Sequence, residues 1–495
     1  MARVNTAGIG ALCVTLFSTT AAFADVTPEQ VWDAWQKGYE AYGYEVLTGS
    51  TDRQGDTLNV SDVKLVNEAN DSSFTMTIPK IALRDLGDGT VQATLAEKMT
   101  GEATADLPEK APMRMDMVMT QTGTSVIVSG SPEDMIYDIT APNMTIEMDQ
   151  KIGSDDNSMP VKVWASIENT TGRYEMKQGD SHDVASQVKS ALVKFTASGA
   201  DPESSGTFNM TGQIADVAYS GNFILPNGVA MEKLDQALNA GMNLDFKATY
   251  GAGNYEITAD SKDGPVQMKS SSQSGSFDVK MAKDGMHYAG TGAKTTLEMT
   301  SQKLPFPVSA AMDEMDADFT IPVSASGDAQ PYKAKIALKG LTLSDNVWSL
   351  FDPQGKLPRD PASLVIDLSG NATVTSDLFS PEVANMPAPP LKVDSADVNA
   401  LQLTVAGADL RGNGAVKFDN SGSTPKPVGT LDFTLKGANA LMDNLVAAGL
   451  VPQDQVMFGR MMLGLYAKPT GDDEMQSQVE FKDGGEVLVN GQRVQ

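Results

Sequence analysis

The sequence predicts a mainly β protein. It would have long, curved antiparallel sheets shaped as one groove or as two β-rich lobes, an aromatic helix at the N-terminus, and a few short inserted helices. Three observations carry this reading. After Tyr44, apolar residues recur at every second position along most of the chain, which is the period of a half-buried strand. Gly, Asp, Asn and Ser punctuate those runs at the short intervals that antiparallel turns require. Helical spacing is confined to a few short stretches.

The chain opens with "MARVNTAGIGALCVTLFSTTAAFADVTPEQ". Arg3, an apolar run from Ala7 to Phe17, and Ala22 and Ala24 flanking Phe23 predict a secretory signal over residues 1–24, cleaved after Ala24. The apolar run is too short to span a bilayer. The expected location is therefore the periplasm. Cys13, the one cysteine of the chain, does not sit in a lipoprotein box, because Gly10 stands three residues before it. Cleavage would leave a thiol-free protein stabilised by burial alone, and no later run is long and apolar enough for a transmembrane segment.

Residues 25–43, "DVTPEQVWDAWQKGYEAYG", predict an amphipathic helix. Thr27 and Gln30 have the spacing of a reciprocal cap, Pro28 suits the first turn, and Gly43 suits a left-handed exit. Trp32, Trp35, Tyr39 and Tyr42 form one aromatic stripe. That stripe either packs on the first sheet or acts as a lid over an open groove.

Residues 44–310 form the first β-rich region. Leu58 and Val60, then Val63 and Leu65, alternate, as do Phe74, Met76 and Ile78, and the texture recurs in "NMTIEMDQ", "VKVWASIE", "GTFNMTG", "MNLDFKATY", "TTLEMTS" and "ADFTIPVSA". Short helices are expected at 229–240, with Met231, Leu234 and Leu238 on one face, and at 181–195. The second region, residues 311–495, contains a duplication. "KIALKGLTLSDNVWSLFDPQGKLPRD" (335–360) and "DFTLKGANALMDNLVAAGLVPQD" (432–454) share a strand, Leu-Lys-Gly, an Asp-Asn pair in a helix, then Pro and Asp. Between them, the Pro-rich run at 380–393 reads as an edge or linker.

With 64 acidic against 37 basic side chains, the formal charge is −27. Such a surface repels phosphate backbones, so no nucleic acid partner is expected. His182 and His287 are the only histidines. Ser186 and Lys189 make a Ser-x-x-Lys without the accompanying motifs of acyl-serine enzymes. The pairs Asp155/Asp156 and Asp316/Asp318 lack calcium-loop spacing and read as solvated strand and turn residues. "GAGNY" (251–255) reads as a turn and not a phosphate loop. The expectation is a non-enzyme with no cofactor and no resident metal.

The 27 methionines are the remaining signal. Met113, Met115, Met117 and Met119 alternate with Arg114, Asp116 and Val118, so the four thioethers share one strand face. Such a face can fill a core, line a groove that accepts ligands of varied shape, or bind copper(I). Strands this abundant make a large apolar face, and the predicted helices are too few to cover it. Met113, Met115, Met117 and Met119, with Trp32, Trp35 and Tyr39, are therefore the candidate lining of an apolar groove. The cargo would be a lipid or an apolar polypeptide, carried for envelope maintenance. The alternatives are a structural protein that binds an envelope partner through a sheet edge, and copper(I) binding.

"LTLSDNVWSLFDPQGKLPRDPASLVIDLSG", "LQLTVAGADLRGNGAVKFDN", "GTLDFTLKGANALMDNLVAAGLVPQDQVMFGRMMLGLYAKP" and the closing "GGEVLVNGQRV" resemble the bacterial family known as domain of unknown function 2125. The resemblance covers residues 310–495 strongly and the preceding part more weakly. It implies membership and supplies no catalytic residues. More loosely, the strand texture and the closing Asn-Gly are similar to AsmA-type envelope proteins. That likeness implies curved sheets with apolar grooves that handle lipids.

Overall fold

The computed structural model describes residues 25–494 except 42, 70, 106–111, 154–157, 201–205, 230–232, 263 and 423. The signal expected at 1–24, Tyr42, Asp155, Asp156 and Met231 lie outside the described residues. The strands form one 27-stranded sheet in which every pairing is antiparallel.

β1 (Glu45–Leu47) and β2 (Ser50–Gln54) both pair with β3 (Thr57–Ala69), which pairs with β4 (Ser72–Asp85). Two short strands, β5 (Val91–Leu95) and β6 (Lys98–Ala105), lie end to end along β4. β7 (Met113–Thr122) pairs with β6 and β8 (Ser125–Ser131) with β5, and both then pair with β9 (Asp134–Ile152). β10 (Met159–Gln178), β11 (Ser181–Ala200) and β12 (Thr207–Pro226) follow as neighbours.

The end-to-end arrangement then repeats. β13 (Asn243–Tyr250) and β14 (Gly253–Asp260) share β12, while β15 (Val266–Ser272) and β16 (Ser274–Ala282) carry them onto β17 (Gly285–Ser301). β18 (Val308–Ile321), β19 (Ala329–Leu343), β20 (Ala362–Val374), β21 (Leu391–Val405), β22 (Ala408–Asp419) and β23 (Lys426–Lys436) continue in order. β25 (Glu474–Phe481) follows β23 after β24 (Lys468–Gly471), and β26 (Val487–Val489) and β27 (Gln492–Arg493) close the sheet through Asn490 and Gly491. Both turn residues have positive φ, as a two-residue hairpin requires. Residues 310 and 311, where the two β-rich regions divide in the sequence, fall inside β18, so both regions belong to one sheet.

A crease crosses the long strands. Asp62, Asn169, Asp216 and Lys294 have φ of 51° to 53° in mid-strand, and the ladder skips each of them. Ser61 pairs with Lys80 and Val63 with Ile78; Glu168 pairs with Asn143 and Thr170 with Ala141. The skipped partners include Pro79 and Pro142, which have no N–H to give a ladder. Asp and Asn tolerate the left-handed conformation better than other side chains. At each such point the phase of alternation slips by one residue. Leu58, Val60, Val63 and Leu65 thus all enter one core cluster, together with Ile78, Ile81 and Leu83.

Helix α1 (Pro28–Ala41) starts as expected: Gln30 N donates to Thr27 Oγ1 at 3.3 Å and Thr27 N to Gln30 Oε1 at 2.9 Å. Gly43 has φ of +82°. Val26, Pro28 and Val31, outside the aromatic stripe, are the most buried residues of this segment. The helix expected at 229–240 is reduced to α2 (Leu234–Asn239). The segment 181–195 is not a helix but part of β11. Val184, Val188 and Leu192 are four apart, a spacing that fits period 2 as well as 3.6, and ladders on both sides decide for strand.

The duplicated units place α3 (Asp345–Phe351) after β19, and α4 (Ala438–Ala447) with α5 (Gln453–Tyr466) after β23. In both copies the Asp of the Asp-Asn pair binds an arginine, Asp345 to Arg359 at 2.5 Å and Asp443 to Arg460 at 2.6 Å. The Pro-rich run forms a short 3-10 turn (Pro381–Asn385) that joins hydrogen-bonded neighbours β20 and β21, so it lies at neither edge.

Helix α4 is capped from a distant turn. Asp473 accepts from Asn439 N, Ala440 N and Asn439 Nδ2, each at 2.9 Å. Burial pushes its carboxyl up, but these N–H donors outweigh that and hold it below the usual carboxylate value. The resulting stability is complete above the unfolded titration near pH ~3.9 and is lost as pH falls through the lower folded value. Asp473→Ala should cost about 1 kcal/mol in denaturant unfolding at pH 7, and the difference from wild type should vanish in acid.

Candidate functional site

The register carries apolar side chains in rows across the sheet. On one side of the crease a row runs from Leu58 through Leu83, Ala93, Val126 and Ile139 to Gly172 and Val188. It continues through Tyr219, Ala248, Phe277, Gly290, Ala317, Ile336 and Ile366 to Leu401.

On the other side, Leu65, Met76, Gly101, Met117, Met148 and Val163 are successive partners. Ala197, Met210, Ile257, Met268 and Met299 extend that row to Val308. Met117 is thus one of six methionines in a cross-strand line, with Met113, Met115 and Met119 in parallel rows. All four are half-buried, and Arg114, Asp116 and Thr120 on the opposite face are exposed.

Several large side chains on this face lie across a glycine on the opposed strand. A Cβ on Gly199 would come within 2.4 Å of the Phe208 ring, on Gly212 within 2.4 Å of Phe195, and on Gly412 within 2.8 Å of Phe433. Each glycine is the direct register partner of that ring. Met117 lies over Gly101 in the same way, its Cε 2.8 Å from where a Cβ would stand. The face is covered by its own side chains lying flat, in the manner of aromatic rescue of strand glycines.

Farther along the chain Ala237 and Leu238 of α2, Val323 and Val374 are also buried, but the closed core cluster lies at the N-terminal end. There α1 contacts β1, β3 and β4, and Val31, Trp32, Leu58, Val60, Leu83, Val128 and Met135 make a closed core. Trp32 is 8% exposed and belongs to that core. Trp35 and Tyr39 instead line a cavity of about 430 Å³ with Leu95, Val126, Tyr137, Tyr174 and Met176, where α1 stops and the open face begins. Beyond it, Tyr288 is 46% exposed, Ile336 39% and Leu403 41%, although all three point to the apolar side. Near the other end, a cavity of about 420 Å³ is walled by Leu341, Leu343, Trp348, Phe351, Leu357, Leu441 and Leu445, from both copies of the duplicated unit.

The opposite face is ionic. Lys280 binds Asp245 at 3.0 Å, Lys333 binds Asp318 at 2.7 Å, and Lys335 binds Asp316 at 2.5 Å, each pair on adjacent strands. The hydrogen bond that Lys335 donates to the Asp316 carboxylate raises its ammonium above the ordinary value. Asp316 and Asp318, expected to be solvated, are therefore half-buried and paired, because the flanking strand supplies lysines on the same face, diagonal to each carboxylate. His287 lies between Asp278 and Asp318, at 3.7 and 3.6 Å, and its Nδ1 is 3.1 Å from Thr320 Oγ1. His182 falls on the apolar side of the sheet by strand alternation, so the two histidines are on opposite faces. Ser186 and Lys189, three apart on β11, also point to opposite faces. Among the described residues no group of three or more His, Cys, Asp or Glu could hold a metal ion, and no helix is long and apolar enough to cross a membrane.

The fold and this face define a β protein built as one antiparallel sheet with an apolar side and an ionic side. The chain belongs to the bacterial family of uncharacterised conserved proteins, DUF2125, which matches residues 236–490. No curated protein matches it. The family match reaches back to α2, further than the C-terminal motifs alone extend.

The sequence singled out one strand of the methionine line. Met148, Met210 and Met299 sat in runs already read as strands, but which strands pair, and in what register, is not written in any single run. The contrast between sealed and open parts is measurable. Leu83→Ala, at a site 0% exposed, should lose about 2–5 kcal/mol in denaturant unfolding. Met117→Ala, on the open face, should lose about 1 kcal/mol or less, and equal losses would mean that the face is sealed.

Proposed function

We propose that the protein is a non-catalytic periplasmic binder of apolar cargo, lipid acyl chains or an apolar polypeptide, held on the apolar face of the sheet for envelope maintenance. The observation that carries the reading is the pair of apolar rows that cross the sheet in register and, beyond α1, remain half-open. Stacked at about 4.8 Å per strand, the sheet's roughly twenty strand positions give that face a length of about 90 Å. Few helices shield it. An apolar ligand laid along it would gain about 0.8 kcal/mol for each buried CH₂. Methionine and flat-lying aromatic side chains can adjust to ligands of different shape without loss of a rigid fit.

A sheet-edge binding role finds less support. β2 is short, polar and fully exposed, β27 has two residues, Gln492 and Arg493, and both ends thus carry the features that discourage strand addition. The AsmA-type likeness agrees with the cargo reading as an analogy of fold.

Two outcomes test the proposal. Native mass spectrometry of protein purified without added detergent should find co-purifying lipid or apolar peptide, and Tyr288→Asp with Ile336→Asp should strip it while leaving the melting temperature within a few degrees. Clean, empty protein that also fails to take up an apolar dye would sink the cargo reading. Separately, the chain recovered from the periplasm should begin at Asp25.

A further inference from the structure

Helix α5 presents an apolar surface to solvent. Met457 is 64% exposed, Phe458 60%, Met461 55% and Leu465 60%, while Val456, at 6%, faces inward. Positions 457, 461 and 465 are four apart, so these side chains form one stripe along the helix. The helix packs on α4, where Arg460 donates to Asp443 at 2.6 Å and to the carbonyl of Asn439 at 3.2 Å. We propose that this stripe is a docking surface for the interface of a zwitterionic lipid bilayer.

Charge is the first argument for that occupant. Between residues 438 and 466 the only charged side chains are Asp443, Asp454 and Arg460, and Arg460 is already engaged by Asp443. In a chain of net charge −27, a nearly neutral apolar helix is an outlier. Its single basic residue, Arg460, is held by Asp443 and so is not free to seek anionic headgroups, unlike the basic residues of most interfacial helices. It fits a surface of neutral average charge.

Area is the second argument. A helix of 14 residues is about 21 Å long and about 10 Å wide, so the stripe offers each copy about 200 Å². A stable pair of proteins needs about 800 Å² per partner. The stripe is too small to hold a second copy, whereas a bilayer interface requires no matching shape.

Position is the third. Leu441 and Leu445 of α4 and Leu450 after it line the 420 Å³ cavity together with Leu343, and Leu343 is in register with Ala310 and Leu297 of the apolar face. The lipid-facing helix is thus one helix away from the open face. This inference goes beyond the cargo reading and stands without it, since α5 can rest on lipid whether or not the sheet holds a chain.

The test is flotation of the full chain with phosphatidylcholine vesicles. Wild type should float with the vesicles, and Phe458→Glu with Met461→Glu, both at solvent-exposed positions, should bind at least tenfold more weakly with an unchanged thermal melt. Both proteins are compared in the form recovered from the periplasm. The Tyr288→Asp, Ile336→Asp protein should float like wild type even if it has lost cargo, which separates docking from carriage. Absence of wild-type flotation, or equal flotation of the α5 variant, overturns the proposal. So does a concentration-dependent dimer that the α5 variant dissolves, because the occupant would then be a second copy.

Discussion

The structure depends on one constraint, that every strand keep its apolar side chains on the same side of a single sheet. Period-2 alternation does this only while the register holds, and a slip of one residue sends a whole strand's apolar set to the wrong face. The long strands meet the constraint twice, once on each side of the crease. Left-handed Asp62, Asn169 and Asp216 shift the alternation by one residue, and Pro79 and Pro142 stand opposite where the ladder is interrupted. Were the slip absent, Val63 and Leu65 would leave the core that Leu58 and Val60 enter. The ionic face obeys the same rule in reverse, with lysines of one strand set opposite carboxylates of the next.

Burial is graded along the sheet. At the N-terminal end α1 supplies a second layer, and residues such as Val31, Val60 and Leu83 reach 0% exposure. Past β9 most of the sheet has no such cover, and large side chains fold down onto glycines in the neighbouring strand. That device protects backbone hydrogen bonds without a packed partner layer. It also leaves the upper surface of Phe195, Phe208 and Phe433 free to touch something else. The helices of the duplicated unit return near the far end, where they wall a small cavity and expose α5.

Much of this architecture was legible in the chain. Alternation exposed the strands, Thr27, Pro28, Gln30 and Gly43 marked the limits of α1, and repeated Leu-Lys-Gly and Asp-Asn signals marked two strand-to-helix units. The segment 181–195 is ambiguous in sequence because its four-residue spacing satisfies both periods, and only the ladders on both sides make it a strand. The crease was visible only as the odd jump from Val60 to Val63, whose meaning requires knowing that Pro79 lies opposite. The methionine row was hidden for a similar reason. Met117 and Met268 are far apart in sequence, and only a chain of registers brings them into line. The pairing of Asp316 and Asp318 with Lys335 and Lys333 depends on the same registers.

Because each strand bonds only to strands adjacent in the order, the sheet has no closure condition. Adding or deleting an antiparallel pair leaves the cross-section, the faces and the remaining ladders as they were. Its extent is therefore a quantity that descent can tune in increments of one hairpin, without reinventing a core. The twin Leu-Lys-Gly units stand on β19 and at the end of β23, four strand positions apart in the same sheet. Relatives should accordingly differ in overall reach more readily than in profile.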